Sequence, residues 1–171
     1  MAQKKKPYRR PVNALALYIG KVAIAANDVQ FALLYIFTPL IGNRALAHSL
    51  YFSAPSDRAQ QKMVREAVET VLRPIDDALA TKIVKQLNQL DKYVQRRNDV
   101  IHSLWSTDPA TEALTPLQPK STLRGKNLKL EMLDLTNKLM VEASTLLMLR
   151  TDMMNLPHFR RQELGNALIA R

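Results

Sequence analysis

The segment DDALATKIVKQLNQLDKYVQRRNDVIHSL, residues 76–104, decides the fold because it is typical of one long amphipathic helix. Its apolar side chains return every three or four residues with one gap, which is the period of a helix face. This apolar seam consists of Leu79, Ile83, Leu87, Leu90, Val94 and Ile101. Pro74 interrupts the pattern before it. We therefore expect a helix from Ile75 or Asp76 to about Leu104.

Upstream, the sequence predicts a first helix from Asn13, a candidate N-cap, to Phe37, with Pro39 ending it. Its expected apolar face consists of Leu17, Ile24, Phe31, Leu34 and Tyr35. Residues 14–37 are long enough for a membrane span, but polar residues interrupt them at Lys21, Asn27, Asp28 and Gln30. A charge near a bilayer centre costs about 2.5–3.5 kcal/mol. We therefore interpret this stretch as a buried core helix outside any membrane.

A second helix is predicted after a connection over residues 40–55, in which a short helical turn is expected around 44–50. Asp57 followed three residues later by Gln60 resembles a capping box. The helix should then run from Asp57 to about Leu72. Its buried stripe should consist of Val64, Ala67, Val68 and Val71.

The last major helix is predicted over residues 130–154 and is stopped by Pro157. Before it lies a long loop, residues 106–129, whose prolines and glycine discourage a helix, and such loops are often functional. The fold class that follows is all-α, an up-and-down bundle of four main helices with a long basic loop between the third and fourth. The expected organisation is a disordered basic arm over residues 1–12, a helical domain over residues 13–154 and a basic C-terminal tail over residues 155–171.

Composition limits the class of protein. A chain of 171 residues with 47% hydrophobic side chains and only 4 Gly suits a single helical domain. It has no Cys, which excludes disulfides, thiolate catalysis and zinc ribbons. The basic N-terminus lacks a signal-peptide cleavage pattern. We therefore expect a cytoplasmic protein, and the residue types predict neither a metal site nor a cofactor.

The formal charge of +10 is divided between an arm and the remaining chain. Residues 1–11 hold five basic residues and no acid, so they account for half of it: Lys4, Lys5, Lys6, Arg9 and Arg10. A second basic group lies in the long loop, at Lys120, Arg124, Lys126 and Lys129. These residues, with Arg96, are candidates for nucleic-acid binding through phosphate contacts. The alternative is that the arm only keeps the protein soluble.

The gap in the third-helix seam contains Arg97-Asn98-Asp99-Val100-Ile101-His102. With 13 Arg, 9 Asn and 3 His in 171 residues, an Arg-Asn pair with His at this spacing is expected about 0.01 times by composition. The hexapeptide resembles the signature of the HEPN superfamily. That resemblance implies a domain of four or five helices, and in many members a metal-independent ribonuclease acting as a homodimer, with RNA as the partner. A regulatory protein partner is also conceivable.

The resemblance implies roles for the motif residues. His102 would assist attack of a ribose 2′-hydroxyl on the adjacent phosphate, and Arg97 would stabilise the charge that develops there. The products would be a 2′,3′-cyclic phosphate and a 5′-hydroxyl. Asn98 and Asp99 fall where the family carries polar residues: Asn98 could orient His102, and Asp99 could fix Arg97 or the dimer.

Helix geometry suggests that one chain is not enough. Residues five apart diverge by about 140° around a helix and lie about 7.5 Å apart along it. Arg97 and His102 therefore do not share a face, and two apposed third helices around a twofold axis could bring both to one cleft. Two alternatives remain open. The motif could be an exposed polar patch with a histidine favoured by the helix dipole, or the domain could be an inactive binding module.

Overall fold

A computed structural model describes residues 14–102, 105–107, 114–116 and 127–161 of the chain. Its α-helices are α1 (Ala14–Ile41), α2 (Arg44–Ser53), α3 (Asp57–Ala67), α4 (Asp77–Ile101) and α5 (Leu128–Asn155). A π-helical turn, Val68–Leu72, extends α3. Two short strands, β1 (Trp105–Thr107) and β2 (Leu114–Pro116), pair antiparallel between α4 and α5. The prediction of an all-α class is confirmed.

Four helices begin at side chains that accept a backbone N–H, as N-caps do. Asn43, Ser56, Asp76 and Asn127 fill this role at α2, α3, α4 and α5. The predicted capping box at Asp57 and Gln60 is wrong, because Ser56 caps α3 and the Gln60 amide donates instead to the carbonyl of Tyr51, at 3.2 Å. Asp57 thus lies in the first turn, where its carboxylate can reach another helix. The proposed N-cap Asn13 lies outside the described residues.

α1 continues past the proline that was expected to end it. Pro39 lies in the last turn, where its missing N–H removes only one helical hydrogen bond. The helix ends at Gly42 instead, whose φ of 75° is left-handed and whose N–H donates to the Thr38 carbonyl at 3.1 Å. Glycine adopts this conformation without steric cost, which makes it a common helix terminator.

The helix directions follow from side-chain contacts. Tyr18 lies beside Lys129, and Tyr35 beside Arg150, so α1 and α5 run in the same direction. Arg96, near the end of α4, contacts the start of α5, so α4 runs opposite to both. The described part has five α-helices where four main helices were predicted. The extra one is α2, a helix of 10 residues where only a short turn was expected.

The apolar seam predicted for the third helix forms much of the core. Leu79, Ile83, Leu87 and Leu90 are buried, and Val94 and Ile101 are half-buried. The stripe predicted for the second helix is also buried at Val64, Ala67 and Val68. Its last member is not: the π-helical turn, whose wider hydrogen bond joins Arg73 N–H to the Val68 carbonyl, directs Leu72 rather than Val71 into the core.

The face predicted for α1 is wrong except at Leu34. Leu17, Ile24, Phe31 and Tyr35 are exposed. The buried residues of α1 include three alanines on the opposite side, and are Val22, Ala25, Ala26, Val29, Ala32, Leu33, Leu34, Ile36, Phe37 and Leu40. The core also extends past the expected domain end at residue 154, because Phe159 is fully buried in it.

Candidate functional site

The motif spans the last turn of α4 and the residue that caps it. α4 ends at Ile101 rather than at the predicted Leu104. His102 leaves the helical conformation at φ −100° and ψ 7°, and its backbone N–H donates to the Asn98 carbonyl at 2.9 Å. The His102 side chain is exposed. A proton-transferring imidazole at this place would be open to solvent and to substrate.

Arg97 is held between two neighbouring groups. One guanidinium nitrogen, Nη1, donates to Oδ1 of Asn98 at 2.6 Å, and the other, Nη2, donates to Oδ2 of Asp57 in α3. The side chains of Arg97 and Asp57 are 19% and 30% exposed, so the pair is largely shielded. The guanidinium therefore has a fixed orientation and a carboxylate partner already in place.

The two polar residues between Arg97 and the apolar pair do not take their expected places. The Asn98 side chain turns toward Arg97, while only its backbone carbonyl contacts His102. Asp99 is buried and accepts a hydrogen bond from the Gln95 amide at 2.8 Å. The carboxylate that fixes Arg97 is thus Asp57, 40 positions away in sequence, which no spacing in the sequence indicated.

A small pocket lies where α1, α3 and α4 meet at Arg97. Its lining comprises Ala26, Val29, Gln30, Asp57, Gln61, Leu90, Tyr93, Val94, Arg97 and Leu139. Gln61 is buried, and its Oε1 atom lacks a hydrogen-bond partner among the described residues. An unpaired buried acceptor is costly and favours a donor from outside the protein. The pocket thus combines a fixed cation with an unused acceptor.

Tyr51 of α2 supports the same region from behind. Its hydroxyl donates to the backbone and side-chain oxygens of Gln30, at 3.0 and 2.8 Å. Burial, followed by the nearby Asp57 carboxylate, raises the pKa of Tyr51. The hydroxyl therefore stays protonated and acts as a structural donor that fixes Gln30 at the pocket.

Arg96, a predicted nucleic-acid contact, joins α4 to α5 through ion pairs. Its guanidinium donates to Glu131 and, at 3.0 Å, to Asp134, and only 22% of the side chain is exposed. Burial alone would lower the pKa of Arg96, but the hydrogen bonds that it donates to Asp134 and Glu131 outweigh this effect and raise the pKa. Two carboxylates already occupy this cation, so it is poorly placed to meet a phosphate.

Of the other predicted basic contacts, the structure describes Lys129 alone. It is exposed at the start of α5, and its ammonium lies 5.5 Å from the centre of the Tyr18 ring. The remainder lie outside the described residues: Lys4, Lys5, Lys6, Arg9, Arg10, Lys120, Arg124 and Lys126. Within the described residues no cluster of His, Asp or Glu could hold a metal ion.

One described helix, Leu15–Ile41, is long and apolar enough to cross a bilayer by length and composition. Half of its most apolar window is buried inside the protein. No family model matches this chain, and no curated protein or solved structure matches it either.

Proposed function

We propose that this protein is a metal-independent endoribonuclease whose site contains Arg97 and His102. One observation carries the proposal: the structure orients the Arg97 guanidinium through Asp57 and Asn98 and leaves the His102 imidazole exposed at the end of the same helix. Arginine offers a planar fork for a phosphate that gains charge. Histidine is the side chain whose usual pKa, about 6.5, suits proton transfer near neutral pH.

The proposed reaction needs only these residue types and RNA. The 2′-oxygen of a ribose attacks the adjacent phosphorus, the bond to the 5′-oxygen of the next nucleotide breaks, and no water is consumed. His102 serves in proton transfer, which moves one proton from the 2′-hydroxyl and supplies one to the leaving 5′-oxygen. The products are a 2′,3′-cyclic phosphate and a 5′-hydroxyl. The unpaired Oε1 of Gln61 lies too deep for RNA to reach, because the pocket at Arg97 has room for about one water molecule, which could supply the missing donor.

A composite site in a homodimer is part of the proposal. Arg97 and His102 diverge by about 140° on one helix, so a second chain with its α4 apposed would supply the missing partner to each. The outward side of α4 is polar, with Lys82, Lys85, Asn88, Lys92 and Gln95 exposed. A contact between two such surfaces would be hydrated and small. The basic arm and the basic loop between α4 and α5 would add phosphate contacts. RNA binding would then weaken as the salt concentration rises.

A second function is favoured by the ion pair at Arg97. The Asp57 carboxylate neutralises the charge of the Arg97 guanidinium, which weakens the attraction of this guanidinium for a phosphate. The domain would then be a catalytically inactive helical module that binds nucleic acid or a protein partner. Such a module would not cleave RNA, so Arg97 and His102 would have no catalytic role.

The deciding experiment is an RNA cleavage assay on the full chain, with and without a chelator. Replacing His102→Ala should lower the cleavage rate by about 10²–10⁴-fold and leave RNA binding unchanged. His158→Ala is a matched control, because this histidine is also exposed but lies beyond α5. The wild-type products should carry cyclic phosphates in the presence of chelator. Metal-dependent cleavage, or full activity in His102→Ala, would contradict the mechanism, and binding without cleavage would favour the second function.

A further inference from the structure

The largest unexplained feature is an apolar surface formed by α1 and α5, here called the α1–α5 face. Its members are all exposed: Leu17, Ile24, Phe31 and Tyr35 from α1, and Leu133, Met140, Leu147 and Met148 from α5. Their exposed fractions range from 38% to 69%. A groove of about 360 Å³, open to solvent, runs between Phe31 and Tyr35 on one side and Met140 and Leu147 on the other.

The area of this face is that of a protein interface. A fully exposed large side chain presents roughly 150–200 Å², so these eight, about half exposed, present roughly 600–800 Å². The largest apolar patch of a typical monomer is about 300–600 Å². One partner in a standard interface contributes about 800 Å². The α1–α5 face therefore approaches the area that one partner in a stable complex buries.

We infer that the occupant of this face is a second copy of the same chain, packed antiparallel about a twofold axis near Ile24. Along the exposed stripe of α1, the residues alternate between apolar and charged: Leu17, Lys21, Ile24, Asp28 and Phe31. Leu17 and Phe31 lie seven residues before and after Ile24, and the opposite charges of Lys21 and Asp28 lie three residues before and four after it. Reversing one copy places Lys21 against Asp28 of the other, twice, as a twofold contact requires.

The same register pairs four residues of the face besides Ile24, whereas Tyr35, Leu147 and Met148 lie level with positions of the second copy that the structure does not describe. It places Leu17 against Phe31 and Ile24 against Ile24. The neighbouring pairs Tyr18–Lys129 and Tyr35–Arg150 show which residues of α1 and α5 lie side by side. The α5 residue number is higher by 111 in the first pair and by 115 in the second. The part of α5 beside Ile24 therefore lies between Leu133 and Met140. In the dimer, Leu133 of one copy would meet Met140 of the other. A parallel pairing would instead bring like charges together, which is unfavourable.

A lipid surface fits this face less well. Lys21 and Asp28 are exposed in the middle of the apolar stripe, and each charge near a bilayer centre costs about 2.5–3.5 kcal/mol. In a protein interface the two charges neutralise each other. The face also lies on the side of α1 away from Ala26 and Val29, which line the Arg97 pocket. This contact is therefore separate from the α4 contact in the proposed function, and it does not depend on that proposal.

A charge-swap experiment tests the pairing directly. By sedimentation at micromolar concentration, the wild-type chain should be associated. Lys21→Asp alone and Asp28→Lys alone should each weaken association roughly tenfold, because two attractive pairs become repulsive. The double variant carrying both changes should recover it, and an equimolar mixture of the two single variants should form a heterodimer. Failure of both recoveries would overturn the antiparallel pairing.

Two further variants distinguish this interface from a dimer formed elsewhere on the chain and from a membrane-binding surface. Ile24→Glu places two carboxylates at the axis and should weaken association roughly thirtyfold or more. Ile75→Glu is the control, since Ile75 is 40% exposed but lies outside the face, between the π-helical turn and α4. Association of the same strength in Ile24→Glu as in the wild-type chain would contradict the proposal, whereas residual weaker association would be that of the separate α4 contact. A monomeric wild-type chain that cosediments with neutral or anionic vesicles and loses this binding in Ile24→Glu would also contradict the proposal.

Discussion

α4 and α1 are the two long helices that meet at Arg97, and they divide their side chains differently between core and solvent. α4 buries large aliphatic residues such as Leu87 and exposes lysines, asparagine and glutamine. α1 buries three alanines among its larger residues and exposes Leu17, Ile24, Phe31 and Tyr35. α4 thus has one apolar face. α1 has two, and only one of them packs against other helices within the described residues.

Small residues on the inner side of α1 explain this difference. Ala32 of α1 and Ala143 of α5 both lie at the groove between the helices, where short side chains allow close approach. Tight packing against α5 stabilises the fold without the larger residues of the stripe. Leu17, Ile24 and Phe31 are then available for another purpose, which is why the outer face of α1 suggests an apolar contact with a partner, whereas the outer face of α4 could form only a polar one.

The largest expected effect tests this division between the two helices with matched truncations. Leu87→Ala removes a fully buried side chain of α4 and should lower the free energy of unfolding by about 2–5 kcal/mol. Ile24→Ala removes an α1 side chain that is 65% exposed, and should change it by less than about 0.5 kcal/mol. Denaturant unfolding at low protein concentration, where dimers dissociate, measures both. Similar losses would mean that Ile24 belongs to the core.

A medium effect is expected at the contact between α4 and α5. Arg96→Gln breaks ion pairs with Glu131 and Asp134 at a partly buried position, and should lower the free energy of unfolding by about 1–2 kcal/mol. The salt dependence of RNA binding should not change. Lys129→Gln is the matched variant: this exposed lysine should contribute little to stability, and its loss should reduce the salt slope by about 1. The reverse pattern would restore Arg96 as a nucleic-acid contact.

The sequence predicts helix positions in this chain better than it predicts the buried sides of the helices. The seam of α4 is correctly predicted because most of the other positions on that helix are polar, although Ala80 and Val100 are also buried. α1 is apolar nearly all round, with a mean hydropathy of 1.4 in its most apolar window, so periodicity alone cannot identify its inner face. Helix ends were misplaced where one residue decided them: Gly42, not Pro39, ends α1, and Ser56, not Asp57, caps α3.

The candidate site divides in the same way between local and distant residues. The motif could be identified because Arg97 and His102 lie within one hexapeptide. Asp57, Gln61 and Gln30 come from other helices and meet Arg97 only in the folded chain. The sequence also predicted a local role for Asp57 in a capping box, so its contact with Arg97 was not expected. Pairing between distant charges depends on tertiary geometry and leaves no trace in residue spacing.

The smallest expected effect concerns a buried acid on α5, the helix that packs against both α1 and α4. Glu142 is only 6% exposed, and its Oε2 atom lacks a hydrogen-bond partner in the described part of the chain. Burial raises the pKa of Glu142, and the charge of Lys92 only partly opposes this. Burying this carboxyl group therefore costs stability at neutral pH. Replacing it by the similarly long, apolar Met should stabilise the protein by about 1 kcal/mol.

The gain in stability from Glu142→Met should depend on pH. Because the folded pKa of Glu142 is raised above its ordinary value of 4.5, the wild-type side chain supports the fold fully below pH 4.5 and loses that support as pH rises through the folded pKa. The advantage of Glu142→Met should thus be largest at neutral pH and smallest below pH 4.5. Thermal unfolding of both chains across this range measures it. Glu66→Met is the control, because Glu66 is 64% exposed and its replacement should show little change with pH. An advantage for Glu142→Met that is constant with pH would show that packing, not the buried charge, separates the two chains.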